Sequence, residues 1–189
     1  AFSEATLVRL REALGGIGPS EAVIVTCGSL ARREASSRSD IDFFTIVAGE
    51  QAASEDGRLW ENSVKVAIGG IVPTEPSQGG AFSTIEARDA MLANIGGQND
   101  DNQKITRRML LLLEGEWLSN EAGFANVRRR ILQRYVRGAM ADHQLALFLL
   151  NDIIRYYRTM AVDYEYKTGE GEGPKPWGIR NIKLVFSRK

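Results

Sequence analysis

The chain has 189 residues, of which 43% are hydrophobic and 25% charged, as expected for a folded protein with one large domain or two small ones. One cysteine and one histidine exclude an internal disulfide and argue against a zinc site of the usual ligand types. No apolar run reaches the ~18 residues of a membrane span, and the N-terminus lacks the layout of a signal peptide, so we expect a cytoplasmic protein without membrane contact.

Charge is distributed unevenly although the net charge is zero. Residues 1–100 contain 8 basic and 14 acidic side chains, a net charge of −6, whereas residues 101–189 contain 16 and 10, a net charge of +6. This asymmetry predicts two units of different role, residues 1–100 and residues 101–189. The basic half either binds a triphosphate or nucleic acid or presents the solvated face of a helical layer. We favour the solvated face, because a run of charged residues usually has this role.

The first elements read as helix, strand, turn and strand. Residues 3–15 predict a helix that is capped by Ser3 and ends at a glycine pair, with three leucines on its buried face. The run Val23–Val25 is β-branched and predicts a strand, which Gly28 and Ser29 interrupt. Cys27 is expected to be a small buried apolar residue at the end of that strand.

Two aspartates open the next predicted strand. Asp40 and Asp42 flank Ile41, and alternation in a strand places both carboxylates on one face, with Cα atoms about 6.5–7 Å apart, while Ile41 enters the core. Two carboxylates in this arrangement suit Mg²⁺ or Mn²⁺, since such ions prefer oxygen ligands and share them with phosphate. The alternative is a turn-capping pair before an ordinary buried strand.

The glycine-serine turn adds the elements of a phosphate site. Gly28 allows close approach of the backbone to a ligand, and Ser29 supplies a hydroxyl. If residues 29–35 begin a helix, their free amide groups bind an anion.

These residues carry a family resemblance over residues 23–47. Gly28-Ser29, a ten-residue spacer and Asp40-x-Asp42 resemble the signature of the DNA polymerase β-type nucleotidyltransferase superfamily. The resemblance is strongest to bacterial stand-alone nucleotidyltransferases and to the uridylyltransferases that modify nitrogen-regulatory proteins. A helix before the first strand also fits it.

The resemblance implies an activity and a set of site residues. The reaction would move a nucleoside monophosphate from an NTP to a hydroxyl of a protein, a tRNA or a small molecule, with release of pyrophosphate. Asp40 and Asp42 would be catalytic and hold Mg²⁺ or Mn²⁺, and Gly28 and Ser29 would bind the β- and γ-phosphates. Arg32 would lie near the phosphates, although exposure to solvent or pairing with Glu34 is an equal alternative.

A third carboxylate, usual in the superfamily, has no obvious position here. Glu86, in a predicted strand over residues 81–86, is the best placed, and Asp89, Asp100 and Asp101 are rivals. A site without this acid would be a catalytically weak nucleotide-sensing or regulatory domain. A basic RNA-binding partner module is a further alternative.

The remaining elements complete an α+β fold, with a small mixed sheet followed by an α-helical unit. We expect a helix over residues 50–62 with Trp60 inward, a strand over 64–68, a helix over Gln103–Leu118 capped by Asp101 or Asn102, and a helix over 121–137. A long apolar helix over 140–166 would have a core that includes Leu145, Phe148, Leu149, Ile153 and Tyr157.

Two observations concern the second half of the chain. Arg137 and His143 are separated by five residues, which resembles the arginine–histidine spacing of HEPN ribonucleases. The simpler alternative is an ordinary histidine on a helix. The last amphipathic segment, residues 179–189, lacks a helix stop signal, so we expect the chain to be part of a longer protein.

Overall fold

A computed structural model describes residues 2–49, 54–74, 85–93, 95–96, 98–136, 146–169 and 177–187. The fold is α+β, as predicted, with a small mixed sheet among helices. Contacts divide the chain into two compact units, Ala1–Gln144 and Leu145–Lys189.

The first unit contains the sheet. Its helices are α1 (Phe2–Leu14), α2 (Gly28–Ala31), α3 (Glu55–Gly69), α4 (Arg88–Ala93), α5 (Asn102–Met109) and α6 (Glu121–Tyr135), and Leu110–Glu114 forms a π-helical turn, called the π turn below. Its strands are β1 (Val23–Cys27), β2 (Asp42–Val47), β3 (Ile85–Ala87) and β4 (Glu116–Ser119). They lie in the order β3-β2-β1-β4; β1 is antiparallel to both neighbours, and β2 is parallel to β3.

Both faces of the sheet are covered, which explains the continuous apolar runs of β1 and β2. On one face, Ile24 and Phe43 belong to a core cluster with α1 and α3. Alternate residues such as Val25 and Phe44 are buried as well, and α6 and the π turn contact β1. Burial on α1 follows the predicted leucine stripe: Leu7, Leu10 and Leu14. The predicted cap, Ser3, lies inside α1 instead, because the helix begins at Phe2.

The predicted strand over residues 64–68 is wrong, because this segment is the second half of α3. Trp60, Val64 and Ile68 are buried, and their spacing of four residues fits one helical face. Val66 is 77% exposed, although strand alternation would bury it beside Val64. Ser54 caps α3 by accepting a hydrogen bond from the Gly57 amide. The helical period therefore prevails over the short apolar-polar alternation.

The predicted helix over Gln103–Leu118 is interrupted. α5 and the π turn end at Glu114, and Glu116–Ser119 forms the edge strand β4 beside β1. Pairing with β4 provides hydrogen-bond partners for the backbone groups on the outer edge of β1. This requirement arises from the tertiary fold, so helix propensity cannot predict it. Because β4 completes the sheet, residues beyond 100 belong to the first unit, and the contact boundary lies at Gln144 and Leu145 rather than near residue 100.

Asp101 caps α5, as predicted, by accepting a hydrogen bond of 2.8 Å from the Lys104 amide. This hydrogen bond holds the pKa of Asp101 below its ordinary value. We expect Asp101→Ala to lower the free energy of unfolding by about 1 kcal/mol, as measured by urea denaturation at neutral pH. A carboxyl with a depressed folded-state pKa stabilises above its unfolded pKa, so the difference between wild type and variant should shrink as the pH falls below about 4. A difference that stays constant to lower pH would contradict the cap.

The second unit consists of α7 (Leu147–Gly169), α8 (Trp177–Ile182) and a π-helical segment, Lys183–Ser187. The Tyr157 hydroxyl donates to the Leu184 carbonyl oxygen at 3.4 Å. Two predicted core residues of this helix are exposed, Phe148 by 58% and Tyr157 by 41%, and this part of the prediction is wrong. Apolar side chains occur around most of α7, so one packing face cannot cover them all.

Three predicted positions in this region, Leu145, Arg137 and His143, lie outside the described residues. Among the helices in the described ranges, none is both long enough and apolar enough to cross a membrane.

Candidate functional site

The end of β1 brings the glycine-serine turn against Asp42. Cys27 pairs with Asp42 across the strands, and Gly28 follows with a positive φ of +65°. A Cβ atom on Gly28 would lie 2.6 Å from the Asp42 Oδ2 atom. The carboxylate and the turn are therefore in direct contact, although 13 residues intervene between Gly28 and Asp42 in the sequence.

The backbone at Asp42 is held by the Thr26 hydroxyl, which donates to the Asp42 carbonyl oxygen at 2.9 Å. Ile41 is 1% exposed and joins the core, as predicted. β2 begins at Asp42, so Asp40 lies in the preceding loop rather than in the strand. Both aspartates are half-buried.

The helix expected to begin near Ser29 is a single turn, α2, which ends at Ala31. The Arg32 amide closes it by donating to the Gly28 carbonyl oxygen at 3.0 Å. Ser29 is half-buried in this turn. Gly28, Ser29 and Arg32 thus follow β1 directly, Asp42 lies against Gly28, and Cys27 is buried, as predicted.

Arg32 forms ion pairs with two carboxylates. Its Nε atom lies 3.2 Å from Glu34, and its Nη1 atom contacts Glu114 in the π turn. The Arg32 side chain is 12% exposed and that of Glu114 only 4%. The predicted alternative, pairing with Glu34, is confirmed, and Glu114 is a partner that sequence reasoning missed.

The next residue, Arg33, is held by acids from two other elements. It pairs with Glu4 of α1 at 2.6 Å and with Glu116 of β4 at 2.8 Å. Burial lowers the pKa of Arg33, but the hydrogen bonds to Glu4 and Glu116 outweigh it, and the pKa is raised. Arg33 has a positive φ of 65°, which is strained for a residue with a side chain. Arg11 also pairs with Glu116, at 2.7 Å.

The signal for Glu114 and Glu116 was present in the sequence. Two glutamates flank Gly115, and Trp117, a residue that favours strands, follows them. A glycine after a helical run indicates a break in the helix, whereas the pairing of these acids with arginines depends on the tertiary fold.

Three of the four candidates for a third carboxylate have other partners. Glu86 pairs with Ile46 in the register of β3, four residues or about 13 Å along β2 from Asp42. Its carboxylate forms an ion pair of 2.8 Å with Arg107. Asp100 binds Arg108 in the core, Asp101 caps α5, and Asp89 lies in the first turn of α4. Within the described ranges, no three histidine, cysteine, aspartate or glutamate residues form a metal-sized group.

Arginines of α6 are partly structural. Arg128 donates to the Leu112 carbonyl oxygen at 3.0 Å, and Arg134 donates to that of Ala93 at 3.1 Å. Both contacts secure α6 to its neighbours, which reduces the number of arginines available to a nucleic acid.

Comparison with known proteins adds no relative: no protein-family model, no curated protein and no solved structure matches the chain.

Proposed function

We propose that the chain is a metal-dependent nucleotidyltransferase. One observation carries the proposal: the Asp42 carboxylate lies directly against Gly28 of the glycine-serine turn. A carboxylate for a cation and a turn for phosphate must be adjacent in an enzyme that acts on a metal-bound triphosphate.

The donor set fits Mg²⁺ or Mn²⁺ bound together with a nucleotide. These ions take one or two protein carboxylates and complete their coordination with phosphate oxygens and water, so Asp40 and Asp42 suffice without a third acidic ligand. When bound, the cation neutralises charge on the triphosphate.

The residues of the chain then have defined roles. Asp40 and Asp42 hold the cation, the Gly28 backbone and the Ser29 hydroxyl bind the β- and γ-phosphates, and Arg32 adds positive charge beside them. In the reaction, a hydroxyl oxygen of the acceptor forms a bond to the α-phosphorus. The bond between the α-phosphorus and the oxygen that bridges the α- and β-phosphates breaks. Pyrophosphate leaves with the bonding electron pair, and the hydroxyl proton is released to solvent. The acceptor is a protein, a tRNA or a small molecule.

Calorimetric titration with each of the four NTPs, with and without Mg²⁺, tests this function. We expect one NTP to bind wild type only with Mg²⁺, and we expect Asp40→Asn and Asp42→Asn to weaken binding at least roughly tenfold, since each removes a charge that attracts the cation. Asp56→Asn is the matched control, because Asp56 is an exposed acid on α3. Failure of every NTP to bind, or binding unchanged in both aspartate variants, would refute the proposal.

A second candidate is a nucleotide-sensing or regulatory domain. It is favoured by the other roles of the third-acid candidates, above all the pairing of Glu86 with Arg107. Both candidates predict Mg²⁺-dependent binding, but only the enzyme releases pyrophosphate in the presence of an acceptor. A pyrophosphate-release assay with total cellular RNA, protein and small-molecule fractions as acceptors separates them.

A further inference from the structure

Arg32 is the residue of the candidate site whose charge is already neutralised. Its guanidinium contacts Glu34 and Glu114, so this triad has two negative charges and one positive charge. A phosphate oxygen that approaches Arg32 competes with both carboxylates for the same N–H donors.

Glu114 is the stronger competitor of the two. Its side chain is nearly buried, whereas that of Glu34 is 35% exposed and can return to water. A charge pair that is shielded from solvent is screened less and interacts more strongly than an exposed one.

The backbone beside Arg32 is held rather than relaxed. Arg33 has the strained positive φ, and its ion pairs to Glu4 and Glu116 hold it there. Local strain of this kind persists only when neighbouring contacts maintain it. The exchange that frees Arg32 is therefore one of its side chain, with the backbone kept in place by these ion pairs.

We propose that Glu114 is an autoinhibitory residue that withholds Arg32 from the triphosphate. This inference rests on the proposed function, because it assigns the anion that competes for Arg32 to a metal-bound triphosphate. Binding exchanges Glu114 for phosphate oxygens on the Arg32 guanidinium. The fold thereby keeps the site in a low-affinity state for anions until a ligand with several phosphate groups displaces the glutamate.

The test is a titration of the protein with inorganic tripolyphosphate in excess Mg²⁺, which probes the phosphate contacts without a base. We expect Glu114→Gln to tighten binding roughly tenfold, because it removes a charged hydrogen-bond partner of Arg32. In an Arg32→Ala background, Glu114→Gln should change the affinity little, since the competition has no target.

Glu116→Gln is the matched control. Glu116 lies two residues further on and pairs with Arg33 and Arg11, but not with Arg32. The Glu116→Gln substitution removes the same charge from the same region. An equal gain in tripolyphosphate affinity in this variant would therefore overturn the proposal in favour of a general charge effect. Unchanged or weaker binding in Glu114→Gln, with wild type still binding, would overturn it while leaving the proposed function intact.

Glu34→Gln keeps the proposal testable if Glu114→Gln does not fold. Glu34 is more exposed, and its substitution should tighten binding roughly twofold to threefold through the same arginine. No gain in Glu34→Gln would then overturn the proposal. If neither wild type nor any of these variants binds Mg²⁺-tripolyphosphate, the proposed function itself is refuted.

Discussion

Replacing Asp100 with alanine should lower the free energy of unfolding by about 3–5 kcal/mol, because it leaves a buried arginine without its carboxylate. Arg108 is 0% exposed. Its Nη2 atom lies 2.8 and 2.7 Å from the two oxygens of Asp100, and its Nε atom donates to the Tyr135 hydroxyl at 2.9 Å. The Gly96 amide also donates to Asp100.

The cost arises because Arg108 stays charged. Burial lowers its pKa, but hydrogen bonds to Asp100 and Tyr135 outweigh that effect, and the pKa is raised above its ordinary value. An arginine keeps its charge at neutral pH in any case, so the variant buries a guanidinium that has lost its carboxylate.

Urea denaturation of Asp100→Ala and Asp101→Ala checks this prediction with adjacent residues of the same type. Asp101 is on the surface and acts as a cap, so its loss of about 1 kcal/mol sets the scale of an ordinary contact. Similar losses in the two variants would mean that Arg108 finds another partner or water when Asp100 is removed.

Gly28→Ala should weaken Mg²⁺-dependent nucleotide binding at least roughly tenfold, as Asp42→Asn should, because it displaces the carboxylate that attracts the cation. The new Cβ atom would lie 2.6 Å from the Asp42 Oδ2 atom, and the carboxylate must move to accommodate it. The positive φ adds a loss of stability of about 1–2 kcal/mol.

Gly16→Ala separates these two effects. Gly16 has a positive φ of +86°, but an added Cβ atom has no neighbour within 4 Å. It should lose a similar amount of stability and bind nucleotide as wild type does. Thermal denaturation and the NTP titration on both variants make the comparison, and wild-type binding by Gly28→Ala would remove Asp42 from the site.

The local features of this chain are readable from its residues. The leucine spacing of α1, the β-branched run of β1, the Gly28 break and the inward Ile41 all follow from periodicity and propensity, and the structure has each of them. The α+β class follows from the same patterns. These features depend on residues within a few positions of one another, so a short window contains the information.

Other features depend on partners far along the chain. The strand β4 forms because the edge of β1, at least 90 positions earlier in the chain, needs a partner. Arg32 is held by a glutamate 82 positions away, and Arg108 is stabilised in the core by Asp100 and Tyr135, which lie on other elements. Sequence alone determined the α+β fold class and the first strand-turn-strand. Tertiary structure decided which charges are paired, because an ion pair depends on distance in space and both partners must be brought together by the packing of different elements.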